Sequence, residues 1–113
     1  MSSIFSKIVA RDVPATIVAE DDRVIAFEDI APKAPVHVLV VPKTEQYRNV
    51  TELAAGDPDL LAHVVATAQR IADERSGGQY RLVFNTGETV GQTVFHVHAH
   101  VLAGDLQEGT LAS

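Results

Sequence analysis

Three histidines alternate with small apolar residues near the end of the chain, in the run Val94-Phe95-His96-Val97-His98-Ala99-His100-Val101-Leu102. Side chains in an extended strand alternate between faces, so His96, His98 and His100 all point the same way. Phe95, Val97, Ala99 and Val101 fall on the opposite face and read as buried. Three imidazoles in register make a poor core, because each ring needs a hydrogen-bond partner and protonated neighbours repel. The row suits a place where phosphate, a metal or a proton is handled.

A neutral imidazole can attack phosphorus when its second nitrogen is held by an acceptor that fixes the tautomer. Neighbouring rings can then donate to the nonbridging oxygens, where charge builds up. Gly91-Gln92-Thr93 precedes the row; the glycine would let the backbone approach a phosphate, and Gln92 and Thr93 offer uncharged donors. His37 lies between Val36 and Val38 and joins the site if its strand neighbours the histidine strand. The rival chemistry is zinc, since His at i and i+2 on a strand can share one metal. No cysteine is present, and no acidic third ligand is evident nearby, so no metal site is assigned. His63, on a helix between Ala62 and Val64, reads as partly exposed and without a role.

The elements that must position these groups are legible in outline. Positions 2–9 suit a short N-terminal helix with Ile4, Phe5 and Ile8 on one face. Positions 15–19 and 23–27 read as strands joined by the polar turn Glu20-Asp21-Asp22. Pro32 and Pro35 punctuate a loop before the β-branched strand 36–41, which Pro42 ends. The main helix lies within 58–75, with Asp57 as N-cap, Pro58 at the first turn, and an apolar stripe through Leu60, Leu61, Val64, Val65, Ala68, Ile71 and Ala72. Gly77 and Gly78 stop it. Positions 80–84 form another strand, and Asn85 opens a loop running through Gly91 to the histidine strand. Five strands and one long helix imply an α+β fold on an antiparallel sheet.

Length and charge narrow the function classes. The chain has 113 residues, which suits one domain. A core this small makes a partner subunit plausible. Its net charge is −6, without the basic stripe of a nucleic-acid binder, so local donors must hold any phosphate. The longest apolar run is too short to span a bilayer, which needs roughly 20 residues. Positions 1–7 lack the apolar stretch of a signal peptide. The lack of cysteine is compatible with the cytoplasm.

His96-Val97-His98-Ala99-His100-Val101-Leu102 matches the His-φ-His-φ-His-φ-φ signature (φ apolar) of the histidine triad (HIT) superfamily. The likeness continues through Ser3-Ile4-Phe5-Ser6-Lys7-Ile8, Val13-Pro14-Ala15, Ala26-Phe27-Glu28-Asp29-Ile30, Pro32-Lys33-Ala34-Pro35-Val36-His37 and Val40-Val41-Pro42-Lys43. Over about positions 4–104 the chain resembles the histidine triad nucleotide-binding (Hint) branch, with 105–113 as a C-terminal tail. The resemblance implies a single HIT domain, a dimer-forming five-stranded antiparallel sheet, and cofactor-free hydrolysis of nucleoside phosphoramidates or related conjugates of AMP or GMP. It makes His98 the nucleophile, flanked by His100 at the phosphate and by His96, with His37 completing the cluster. Asp29 would accept from the ribose hydroxyls. Ile4, Phe5, Ile8, Phe27 and Ile30 would form the base slot, and Asn85, Gly91 and Thr93 would touch phosphate and sugar. Thr93 stands where Hint proteins usually have serine, and Gly-Gln-Thr-Val before the triad is typical of the Fhit branch, which cleaves dinucleoside polyphosphates. Val90 replaces a glycine common before Gly91, and the tail lacks the tryptophan of animal Hint proteins. A dinucleoside polyphosphate hydrolase and a non-catalytic nucleotide-binding regulator are the alternative functions.

Overall fold

The computed structural model describes residues 3–110; position 2 of the expected N-terminal helix and 111–113 of the tail lie outside the described residues. The elements in chain order are α1 (Ile4–Val9), β1 (Ile17–Glu20), β2 (Val24–Glu28), β3 (Val36–Pro42), α2 (Val50–Gly56), α3 (Pro58–Ser76), β4 (Arg81–Val83) and β5 (Ala99–Ala103). Single 3₁₀ turns occupy Glu88–Val90 and Glu108–Thr110.

The strands form one five-stranded antiparallel sheet in the order β1-β2-β3-β5-β4. β1, β2 and β3 follow one another as a meander. β4 runs parallel to β3 with one strand between them, a relation that requires a crossover, and α2 and α3 supply it. β5 returns into the gap. That insertion makes β5 the neighbour of β3, pairing His37 with Leu102 and Leu39 with His100.

The sheet buries both faces. Val24, Ala26, Val38, Val40, Ala99 and Val101 pack against Leu60, Val64, Ala68 and Ile71 of α3. Each fully buried Val, Leu or Ile is worth roughly 1.5–3 kcal/mol. Ile25, Phe27, Leu39 and Val41 point the other way and are covered by Phe5 and Ile8 of α1. Strand alternation then places His37 beside Leu39, and His100 opposite it, on the α1 side.

α3 begins and ends as its sequence dictates. The Asp57 carboxylate accepts from Leu60 N at 3.0 Å, Pro58 follows, and Gly77 closes the helix in the left-handed region at φ 62°.

Four expectations are corrected. A second short helix, α2, precedes the main one: Asn49 caps it by accepting from Glu52 N, and Glu52 reaches back to Arg48 N. The histidine strand begins only at Ala99, because the preceding stretch leaves the ladder and Val97 N donates instead to Tyr47 O at 3.0 Å. Outside the ladder the alternation lapses, so Phe95 is 48% exposed rather than buried. His63 does have a structural partner: its Nε2 lies 2.6 Å from Asp21 Oδ2, pinning α3 to the β1–β2 turn. No helix among the described residues is long and apolar enough to cross a membrane.

Candidate active site

The four candidate imidazoles meet where β3, β5 and the segment before β5 pass under α1. Their hydrogen bonds assign the proton on every ring. Burial pushes all four below the usual histidine value near 6.5, so each is neutral at pH 7. His100 falls furthest, to about 4, because His98 and His37 add to burial. A neutral imidazole has one N–H and one lone pair.

His98 Nδ1 lies 2.9 Å from the backbone carbonyl of His96. A carbonyl only accepts, so Nδ1 carries the proton and Nε2 keeps the lone pair. His96 Nε2 lies 2.6 Å from Pro42 O and must be the protonated nitrogen of that ring. On His37, Nδ1 accepts from Lys33 N at 3.0 Å, which puts the proton on Nε2. That N–H faces His100 Nδ1 at 2.9 Å. His100 Nδ1 therefore accepts, and an N–H donor remains at its Nε2. One ring thus presents a lone pair, and its neighbour in the row an N–H. Their centroids are 5.2 Å apart.

The cluster adjoins a groove of about 650 Å³. Ile4, Phe5, Ile8, Phe27, Asp29 and Ile30 all line it, so the structure brings the expected slot residues together. Phe5 closes the end nearest the imidazoles, with its ring edge-on to His98 at 4.9 Å and to His96 at 5.7 Å. Ile30, at 101% exposure, stands at the lip rather than in the wall. Glu28, Leu39 and the segment Val13-Pro14-Ala15-Thr16 complete the lining. These were missed because nothing in their types separates them from core or loop residues.

Asp29 has two attachments. Its Oδ1 accepts from Ala31 N at 2.8 Å, and its Oδ2 lies 3.4 Å from His37 Nε2. It is therefore the acidic neighbour that the sequence did not reveal. One ligand atom each from Asp29, His37 and His100 fall within 4.8 Å of one another, a set that could hold a metal ion. A cation there would have to displace the proton shared between His37 and His100.

The loop before the triad differs most from expectation. Gln92 is buried, and its side chain is used up internally. Its Oε1 accepts from Gly87 N at 2.9 Å, while its Nε2 donates to Arg48 O at 2.6 Å and to Val94 O at 3.2 Å. It anchors the loop and leaves no amide N–H for a phosphate. Gly91 adopts φ 95°, which explains the glycine by backbone conformation. Its N–H closes the 3₁₀ turn onto Glu88 O. Asn85 is half-buried, Thr93 is exposed, and neither lines the groove. Ser3 at the start of α1 and Glu45 after β3, which meet beside His96, were also missed; Ser3 stood only at the head of a stretch that resembles the Hint branch, with no role attached.

A family model for the HIT domain matches residues 10–107. An uncharacterized HIT-like protein of Synechocystis sp. is 49% identical over 106 residues, covering 90% of each chain. The purine nucleoside phosphoramidase of Escherichia coli K12 is 39% identical over 104 residues, covering 90% of this chain and 87% of its own. Among solved structures, a HIT family hydrolase from Legionella pneumophila superimposes with TM-score 0.88 at 36% identity, covering 99% of this chain and 100% of its own. Another, from Clostridium thermocellum, gives 0.87 at 42% identity and covers 94% of both. The chain belongs to the histidine triad family.

Proposed function

We propose that the chain is a nucleotide hydrolase of the histidine triad type that cleaves nucleoside phosphoramidates, or related conjugates of AMP or GMP, through a nucleotidyl-histidine on His98. The observation that carries this reading is the proton assignment: His98 offers Nε2 as a lone pair, and His100 offers an N–H beside it. The relative named a purine nucleoside phosphoramidase supports the substrate class.

His98 Nε2 attacks the α-phosphorus. The P–N bond breaks, the amine departs with a proton drawn from solvent, and the nucleotidyl group rests on the imidazole. Positive charge develops on that ring, and the His96 carbonyl at Nδ1 stabilises it. The His100 N–H donates to the nonbridging oxygens. Water then attacks phosphorus, the P–His bond breaks, and the nucleoside monophosphate leaves. The base packs in the groove against the wall that Phe5 and Phe27 form together, and Asp29 accepts from the ribose. Asn85, Gly91 and Thr93 are assigned to the phosphate and sugar side by resemblance alone. Assembly as a homodimer and a cytoplasmic location also belong to this reading.

Dinucleoside polyphosphates are the competing substrates that Thr93 favours. The relative named a purine nucleoside phosphoramidase favours the smaller conjugates instead. Adenosine phosphoramidate should therefore turn over faster than diadenosine tetraphosphate, and a chelator should not change the rate. Faster cleavage of the tetraphosphate would overturn the substrate assignment. The pH dependence follows from burial. Burial lowers the His98 pKa from its usual 6.5, so the ring stays neutral there and the rate should begin to fall only below pH 6.5. Stability moves the same way. The unfolded chain binds more protons below its histidine pKa near 6.5, so stability is full above that value. It declines as pH falls toward the His100 value of about 4. Circular dichroism at each pH separates the two effects.

A further inference from the structure

We infer that Ser3 is a positioning residue for the nucleophile, acting through the His96 ring; the catalytic part of this inference rests on the reading of His98 above. The Ser3 hydroxyl lies 2.6 Å from His96 Nδ1. The proton of His96 is on Nε2, committed to Pro42 O, so Nδ1 can only accept and the Ser3 O–H must donate. The same oxygen accepts from Ser6 N at 3.1 Å, capping α1. The Ser3 backbone N–H donates to Glu45 Oε1 at 2.7 Å, which ties the start of α1 to the segment after β3.

This small network sits just ahead of β5, on a segment outside the sheet ladder. His96, Val97 and His98 precede β5 and make no ladder hydrogen bonds. Three things fix them: Val97 N on Tyr47 O, the Val97 side chain in the main core, and the His96 ring with a partner on each nitrogen. The His96 carbonyl is in turn the acceptor that holds His98 in its nucleophilic tautomer. Anchoring the His96 ring at both nitrogens therefore anchors the residue whose backbone carbonyl orients the attacking ring. Ser3 also fixes the helix that carries Phe5, which touches both rings. One hydroxyl thus couples the slot wall to the nucleophile. Removing it leaves a lone pair at Nδ1 of a ring that is 1% exposed without a donor.

Capping and donation are separable by substitution. Ser3→Ala removes both. Ser3→Asp keeps an acceptor for Ser6 N but cannot donate to Nδ1, while Ser3→Thr keeps both. The experiment pairs steady-state kinetics on adenosine phosphoramidate with ¹⁵N NMR of the histidine rings. Ser3→Ala and Ser3→Asp should each lower kcat by roughly 10-fold or more, since a displacement of about 1 Å can cost up to 100-fold. Ser3→Thr should stay within about 2-fold of the parent. The His96 nitrogens should report the Nε2–H tautomer in the parent and in Ser3→Thr, and a changed protonation pattern in Ser3→Asp. Parental kinetics and unchanged His96 signals in Ser3→Asp would reduce Ser3 to a helix cap and overturn the inference. Altered His96 signals without phosphoramidate turnover in the parent would leave the Ser3–His96 coupling standing and would count against the proposed reaction instead.

Discussion

Replacing His98 with alanine is expected to lower kcat on adenosine phosphoramidate by on the order of 10⁴-fold or more while leaving AMP binding within a few-fold of the parent. The two effects part because the residues doing the two jobs are different. Of the four clustered rings only His98 keeps a free lone pair: His96 has both nitrogens committed, His37 accepts at Nδ1, and His100 presents a proton on Nε2. Binding is assigned to the groove, whose walls include Phe5, Ile8, Phe27 and Leu39 and whose polar lining includes Asp29, beside His37. Calorimetric titration with AMP and single-turnover kinetics measure the two quantities independently. Retention of turnover in the variant would move the nucleophile elsewhere, and parental activity would leave the chain without a covalent role for this residue.

The second large effect is expected at a residue that need not touch the reacting phosphorus. His37→Leu should reduce kcat by roughly 10²–10³-fold, the loss associated with one donor to a developing oxyanion. In the parent, Lys33 N fixes His37 as the Nε2–H tautomer, and His37 fixes His100 as an Nε2–H donor. Leucine keeps the buried volume and fills the β3 position, but it cannot donate. His100 then divides between tautomers and presents its N–H at Nε2 for only part of the time. His100→Ala should cost a similar factor, and the double variant should lose scarcely more than either single one, because the two rings act as one unit. Additive losses would show that His37 acts independently of His100.

The fold and the site were legible to different depths. The stripe through Leu60, Val64, Ala68 and Ile71, with Asp57 ahead and Gly77 behind, specifies α3 almost to the residue, since capping and periodicity are local signals. Asn49 and Glu52 carried the corresponding signal for α2, but the helix is only 7 residues long and its apolar face too narrow to stand out. The triad located the chemistry, yet its reading as a continuous strand failed before Ala99. Whether a backbone N–H joins a ladder or a distant carbonyl such as Tyr47 O is settled by tertiary contact. For the same reason Gln92 looked like a phosphate donor. Its type is right, but its amide is spent on Gly87, Arg48 and Val94, which only the folded loop brings near. Asp29 beside His37 and Ser3 beside His96 are separated in sequence and joined by β-pairing and by the docking of α1. No spacing rule reaches across such distances.

The most direct test is to quench the protein during turnover of an adenosine phosphoramidate and map the modified residue by mass spectrometry under conditions that preserve phosphoramidate bonds. The account predicts an adenylyl group on His98, absent from His98→Ala. An adduct on His96, His100 or any other side chain, or rapid turnover with no adduct at any quench time, would contradict it.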